Sequence, residues 1–176
     1  GGGVTFGYPV SETERVNFGL NVENTAITQG AFPAQEISQF IEAEGSEFLN
    51  FAITAGYSSS TLNRGLFPTR GRRQNLSLEV AVPGSELTFW RLRYQADQYL
   101  PLWRDFSLHL RTQIGYADGY GDSDVVPFYE HFFAGGFGSV RGFEINSLGP
   151  QATPSPNDPF VRRPRPFGGN LLTEGS

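Results

Sequence analysis

Cysteine and methionine are both absent from the 176 residues of this chain. Without cysteine the chain can form neither a disulfide nor a thiolate metal site, and thiol chemistry is excluded. A translated protein begins with methionine, whereas this chain opens Gly1-Gly2-Gly3 and has no positively charged, apolar signal segment. We therefore expect it to be a piece of a longer protein, and any domain count applies to the piece alone.

Long apolar runs and an excess of basic charge are also missing. No run of about 18 apolar residues occurs, which excludes a transmembrane helix. A membrane protein is not excluded, because a strand of a transmembrane barrel needs only about 10 residues of alternating character. The formal charge of -5 and the pI near 5.0 argue against a nucleic-acid binder. With 14% aromatic residues and 22 glycines, the composition is typical of a β-rich protein.

Six stretches alternate apolar and polar residues at the two-residue period of a β-strand. Their apolar faces carry no charged residue, whereas the opposite faces do. The apolar faces consist of Val4, Phe6 and Tyr8; Val16, Phe18, Leu20 and Val22; Leu49, Phe51, Ile53, Ala55 and Tyr57; Leu76, Leu78, Val80 and Val82; Trp90, Leu92, Tyr94 and Ala96; and Phe106, Leu108, Leu110, Thr112, Ile114 and Tyr116. The charged residues opposite them are Glu23, Glu79, Arg91, Arg93, Asp97, His109 and Arg111.

Two architectures produce this alternation. A soluble β-sandwich buries the apolar face in a core, whereas a transmembrane barrel turns it to lipid and its polar face to a wet lumen. Charges in the middle of long strands, and aromatic residues near strand ends with Trp103 in a turn, favour the barrel. The fold class expected is therefore all-β, an antiparallel transmembrane barrel segment of about six strands.

The connections divide the chain into three parts. Residues 1–117 carry the six strands and their loops, 118–168 form one long extracellular loop, and 169–176 begin a further strand. Short turns are expected at Pro9–Arg15 and Leu100–Asp105, and the proline-rich part of the long loop is expected to be irregular. One helix is predicted over Gln35–Glu44, because Pro33 suits a first turn and Gly45 a stop.

No set of residues indicates catalysis, so we expect no enzyme and no cofactor. His109 and His131 lack a second ligand at metal spacing, and Ser139 lacks the glycines of a nucleophile elbow. The glycine-rich stretch does not match a phosphate loop. Arg91, Arg93 and Arg111 are interpreted as partners of Glu79 and Asp97 in ion pairs across the strands.

The long loop contains the most informative stretch of the sequence. Glycines there allow positive φ or a close approach of the backbone to another surface, and the arginine offers a planar fork of donors for carboxylates. This chemistry predicts a loop that docks inside the barrel, where the arginine needs a carboxylate. The docking motif is Val140, Arg141, Gly142 and Phe143, supported by Gly135, Gly136, Phe137 and Gly138.

These residues carry a resemblance to a known family. Val140–Phe143, preceded by Phe128–Gly136, resembles the BamA family of outer-membrane β-barrel assembly proteins. The similarity extends through Asn63–Gly71, Val82–Ser85 and Ile145–Pro150, so that it covers nearly the whole chain.

The resemblance implies a sixteen-stranded barrel in the outer membrane of a Gram-negative bacterium, preceded by periplasmic POTRA domains that this chain lacks. The chain would supply about the sixth to eleventh strands and the sixth extracellular loop, whose arginine, at Arg141, docks on acidic residues from later strands. The partners implied are the remaining barrel strands, outer-membrane lipids, the lipoproteins of the assembly complex and unfolded outer-membrane protein clients.

Two alternatives stay open at this point. The four-residue motif alone also fits two-partner secretion translocators and the autotransporter-assembly protein of the same superfamily. A soluble β-sandwich binding module is the alternative from another class.

Overall fold

A computed structural model describes residues 1–104, 106–121, 123, 125–157 and 164–176. Seven strands form one antiparallel sheet in the order β1-β2-β3-β4-β5-β6-β9, and two short strands, β7 and β8, pair separately. The strands are β1 Gly2–Pro9, β2 Glu14–Ala26, β3 Glu47–Ser60, β4 Gly71–Ala81, β5 Phe89–Trp103, β6 Phe106–Gly119, β7 Gln151–Ala152, β8 Arg165–Pro166 and β9 Leu171–Gly175. Consecutive strands are neighbours from β1 to β6, as hairpin connections require.

The apolar face of the sheet is exposed. Phe18 of β2 lies opposite Phe6 of β1 and Ala55 of β3, so the apolar positions of neighbouring strands share one face. On this face the exposed fraction is 57% at Phe18, 63% at Leu20 and 41% at Leu108. These side chains do not meet in a closed core, as a soluble sandwich would require. The arrangement confirms the barrel interpretation of the alternation.

Burial is instead found on the opposite face, which we call the inner face. It includes Asn50, Ala81 and Ala117, and the loop after β6 covers part of it. The one cluster of buried apolar side chains among the described residues joins Ala117 and Leu172 of the sheet to Val126 and Phe132 of that loop. The loop therefore packs where a second sheet would lie in a sandwich.

The turn expected at Leu100–Asp105 is shorter than predicted. β5 continues through Pro101 to Trp103, and Trp103 pairs with Phe106 at the start of β6. A ladder is held by backbone hydrogen bonds, so it can continue where side-chain alternation stops. Proline has no N–H to donate, and the register shifts between Pro101 and Trp103.

The predicted helix is confirmed as α1, Gln35–Glu44. Gly45 ends it at φ 102°, and the Gly45 N–H donates to the carbonyl of Ile41 at 2.9 Å. The Phe40 ring packs between the rings of Phe48 and Phe128, with centroids 5.6 and 5.5 Å away. In the described ranges, no helix combines the length and the apolar character needed to cross a membrane.

The long loop begins after Gly119 and contains a 3₁₀ helix at Phe128–Glu130. Its proline-rich part is not wholly irregular, which corrects the expectation. Gln151 pairs with Pro166 and Ala152 with Arg165 in a two-residue ladder, because proline can still accept hydrogen bonds at a strand edge. Residues 158–163, which carry Arg162 and Arg163, lie outside the described residues.

A matched pair of substitutions on β4 tests which solvent meets the apolar face. Leu76 faces outward and Asn75 faces inward, and both are exposed. In the full-length protein, Leu76→Arg should destabilise the barrel by roughly 2 to 4 kcal/mol if it meets hydrocarbon, whereas Asn75→Arg should cost under about 1 kcal/mol. Urea titration in lipid vesicles measures both, and equal costs would contradict a lipid-facing surface.

Candidate functional site: a loop held on the inner face

Arg91 of β5 is the central ionic contact of the inner face. It lies directly opposite Glu79 of β4, and its Nη2 is 2.6 Å from Glu79 Oε2. Its Nη1 donates to Glu130 Oε2 in the 3₁₀ helix of the long loop. The cross-strand pair of Arg91 with Glu79 is confirmed. The same guanidinium also binds the loop to the wall, a contact that the sequence pattern did not indicate.

The acidic end of this contact is buried. Burial raises the pKa of Glu130, and the nearby Arg91 opposes this rise without cancelling it. Burial also raises the pKa of the neighbouring Tyr129 to about 12. The Tyr129 hydroxyl has no hydrogen-bond partner among the described residues. The 3₁₀ helix therefore places two titratable groups in a desolvated position.

Phe132 provides the apolar contact of the loop. Its ring lies over Gly115 of β6, where an added Cβ would come within 2.6 Å of Phe132 Cε1. The guanidinium carbon of Arg93 lies 5.4 Å from the centre of the same ring, within cation–π distance. Glycine at position 115 lets the aromatic ring approach the strand backbone.

The predicted glycine support follows Phe132 in the loop, and one of its residues contacts the inner face. Gly135 and Gly136 have φ of 109° and 99°, values that an L side chain rarely adopts, and both are buried. The Gly138 carbonyl accepts a 3.1 Å hydrogen bond from Arg111 Nη1 of β6. Phe137 and Gly138 are exposed, unlike Gly135 and Gly136.

Ser139 serves as a structural tie. Its Oγ donates to Glu174 Oε2 of β9 at 2.6 Å and accepts a hydrogen bond from the Gly135 N–H at 3.1 Å. The hydroxyl thus links the turn of the loop to the last strand of the sheet. Its neighbour in the sequence, Val140, is half-buried.

The rest of the docking motif is exposed. The guanidinium of Arg141 lies 5.5 Å from the centre of the Phe137 ring, and within the described ranges it forms no ion pair. Gly142 has φ 92°, and Phe143 is about half exposed. The seven strands of this sheet thus receive the loop through Glu130, Phe132, Gly138 and Ser139, and the docking of Arg141 on a carboxylate stays a prediction.

The expected ion pairs of Arg93 and Arg111 are wrong, because neither arginine pairs with an acid among the described residues. Asp97 lies opposite Arg111 in the ladder, yet its carboxylate accepts from His109 Nε2 at 2.9 Å. The His109 ring stacks on Tyr99 with centroids 4.2 Å apart, which orients it toward Asp97. Arg111 is directed to the loop instead. The described residues contain no group of three or more acidic or histidine side chains that could hold a metal ion.

The comparison with protein families agrees with this architecture. A model described as the Omp85 superfamily domain matches residues 1–176. The chain belongs to the Omp85 superfamily. Among the members, the Outer membrane protein assembly factor BamA of Neisseria meningitidis serogroup B is 34% identical over 159 residues, which make up 86% of this chain and 20% of that protein.

A solved structure of the same superfamily has the same fold. It is the crystal structure of BamA from Haemophilus ducreyi lacking POTRA domains 1-3, with a TM-score of 0.85 and 25% identity. The alignment covers 98% of this chain and 35% of that one, so the chain spans about a third or less of the relatives it matches. Taken together, the three comparisons do not favour the alternatives, a soluble β-sandwich or a secretion translocator.

The contact between Phe132 and Gly115 can be tested by adding one methyl group. Gly115→Ala should force the ring away and weaken loop docking by about 1 to 3 kcal/mol, because overpacking strains the interface. Limited proteolysis of the loop in the full-length protein measures this. Gly56→Ala on β3 is the control, because its nearest neighbours are 3.7 Å away. Equal protection of the two variants would contradict the proposed packing.

The buried Glu130 predicts a pH dependence of loop docking. Its pKa is raised above 4.5, so between pH 4.5 and the raised value the docked state binds more protons than the released one. Docking should therefore weaken as pH rises through this window. Protease protection of the loop, measured from pH 4.5 to neutral, should show this in the wild type and not in Glu130→Gln.

Glu36 of α1 provides the control for that experiment. Burial would raise its pKa, but hydrogen bonds from Thr153 outweigh burial and the pKa is lowered. Its contribution should be lost only as pH falls below 4.5, so Glu36→Gln should keep the dependence above that pH. A wild-type loop that becomes better protected as pH rises would contradict the assignment to Glu130.

Proposed function

We propose that this chain is a barrel segment of an outer-membrane protein assembly factor, which folds and inserts β-barrel proteins into the outer membrane of a Gram-negative bacterium. The observation that carries the proposal is the inverted sheet, whose apolar face is exposed while a long loop covers its polar face. The 34% identity to BamA supports assembly over secretion as the activity.

The connections indicate the orientation in the membrane. The β1–β2 and β5–β6 connections lie at one rim, and the long β2–β3 and β6–β9 connections lie at the other. Short turns in outer-membrane barrels are periplasmic and long loops are extracellular. The connection at residues 61–70 is longer than this rule predicts. The loop therefore enters the lumen from the cell exterior.

The edges of the sheet support an incomplete barrel. β1 and β9 are the outer strands, and their free edges would expose backbone N–H and C=O groups that cannot face lipid. We infer that these edges pair with the remaining barrel strands or with another chain. Edge pairing of this kind is also how a barrel could template strands of an unfolded client, without nucleotide, cofactor or catalytic residue.

The partners follow from this placement. Lipids of the outer membrane contact the apolar face, and unfolded outer-membrane proteins are the clients. Lipoproteins of the assembly complex and periplasmic POTRA domains are the protein partners that the BamA resemblance implies. Within the loop, Arg141 is proposed to bind a carboxylate on a wall of the lumen that these seven strands do not form.

Reconstitution tests the function and the role of Arg141 together. Full-length protein in lipid vesicles should accelerate the folding of several unrelated urea-denatured barrel proteins, read as the heat-modifiable fraction on a gel. Arg141→Ala should loosen the loop and lower this rate, because removing one partner of a buried ion pair costs about 3 to 5 kcal/mol.

Arg64→Ala is the matched control, since Arg64 is also exposed and lies in the loop at the opposite rim. It should keep the wild-type rate and the wild-type protease resistance. Wild-type resistance and growth in Arg141→Ala would refute the role of Arg141. Transport of a single client, with no acceleration of barrel folding, would instead show a secretion translocator.

A further inference from the structure

The turn between β5 and β6 presents two aromatic rings at the rim with the short turns. Trp103 and Phe106 form the last pair of the ladder and are 73% and 74% exposed. Below them on the same face lies the pair of Leu100 and Leu108. The rings therefore continue the lipid-facing surface at the height where a bilayer meets water.

A bulge turns Trp103 outward. Along β5 the pairing runs from Leu100 with Leu108 to Pro101 with Ser107, and then jumps to Trp103 with Phe106. In a regular ladder Leu102 would pair with Phe106, and Trp103 would face inward as Tyr99 does. Bulges re-aim side chains in this way. The outward position of the indole therefore results from the bulge.

Arginine is an unusual residue at position 104 of this connection. It follows Trp103 directly and has φ 44°, a backbone conformation at which Asn, Asp or Gly is favoured. Its guanidinium carbon lies 6.0 Å from the centre of the Trp103 ring. Arginine at this position strains the backbone, and it places an exposed planar cation beside an outward-facing aromatic ring.

We propose that Trp103, Arg104 and Phe106 bind the phosphate-bearing headgroup of a phospholipid in the periplasmic leaflet. The guanidinium fork matches the two free oxygens of a phosphodiester, and aromatic rings sit favourably at the membrane interface. Leu100 and Leu108 lie where the acyl chains begin. A lipid is the occupant because the site is continuous with the exposed apolar face. The proposal rests on the membrane placement proposed above, not on the assembly activity.

The test separates lipid binding from the structural role of the turn. Full-length protein is purified in a sugar detergent that contains no phosphate, phosphatidylglycerol is added, and native mass spectrometry measures the lipid retained. Arg104→Asn suits the turn better than arginine does and should fold at least as well as the wild type. Its lipid retention should fall about fivefold, the factor that corresponds to roughly 1 kcal/mol per cation at a membrane surface.

Two controls define the result. Arg64→Asn removes an exposed arginine from the neighbouring turn at the same rim and should retain lipid as the wild type does. Diglucosyl diacylglycerol, which has no phosphate, should bind the wild type and Arg104→Asn equally. Unchanged phosphatidylglycerol retention in Arg104→Asn, or an equal loss in Arg64→Asn, would overturn the proposal. Lipid retention in a protein that fails to accelerate barrel folding would refute the proposed function and leave this site standing.

Discussion

The alternation of side chains along a strand is the constraint on which this structure depends. Successive residues point to opposite faces, so apolar residues at every second position form one continuous apolar surface across neighbouring strands. In this chain that surface is exposed, and the buried apolar cluster is small and involves the loop. Hydrocarbon outside the barrel takes the place of a protein core, and the polar inner face is left to be covered by other means.

A polar wall determines what kind of loop can cover it. Apolar packing is limited to places such as Gly115, where the absence of a side chain makes room for Phe132. The other contacts are polar: Glu130 on Arg91, the Gly138 carbonyl on Arg111, and Ser139 on Glu174. Such contacts are individually modest and require the partner groups to be placed accurately. Positive φ at Gly135 and Gly136 supplies that placement.

Helices and strands, which depend on neighbouring residues, could be predicted from the sequence. Side-chain contacts between distant parts of the chain could not. The bounds of the helix Gln35–Glu44 were predicted correctly, because Pro33 favours a helix start and Gly45 favours a helix end. The six strands were predicted from their period, although their ends were not, since ladders continue beyond the alternation. The sequence did not indicate a role for Glu130, because this residue lies in a run of aromatic residues that has neither the helix nor the strand period. Its partner, Arg91, is 39 residues away and could be found only from the fold.

The charges of the wall agree with the exposed position of Arg141. The wall presents Arg91, Arg93 and Arg111, and three acids near them are already engaged: Glu79 with Arg91, Asp97 with His109, and Glu174 with Ser139. A further cation brought to this surface would be repelled, whereas Arg91 attracts the Glu130 carboxylate and offsets part of the cost of its burial. A loop that carries both an acid and a cation can therefore contact two walls of opposite charge. On this argument the wall formed by these strands selects Glu130, and a carboxylate on a different wall is needed to hold Arg141.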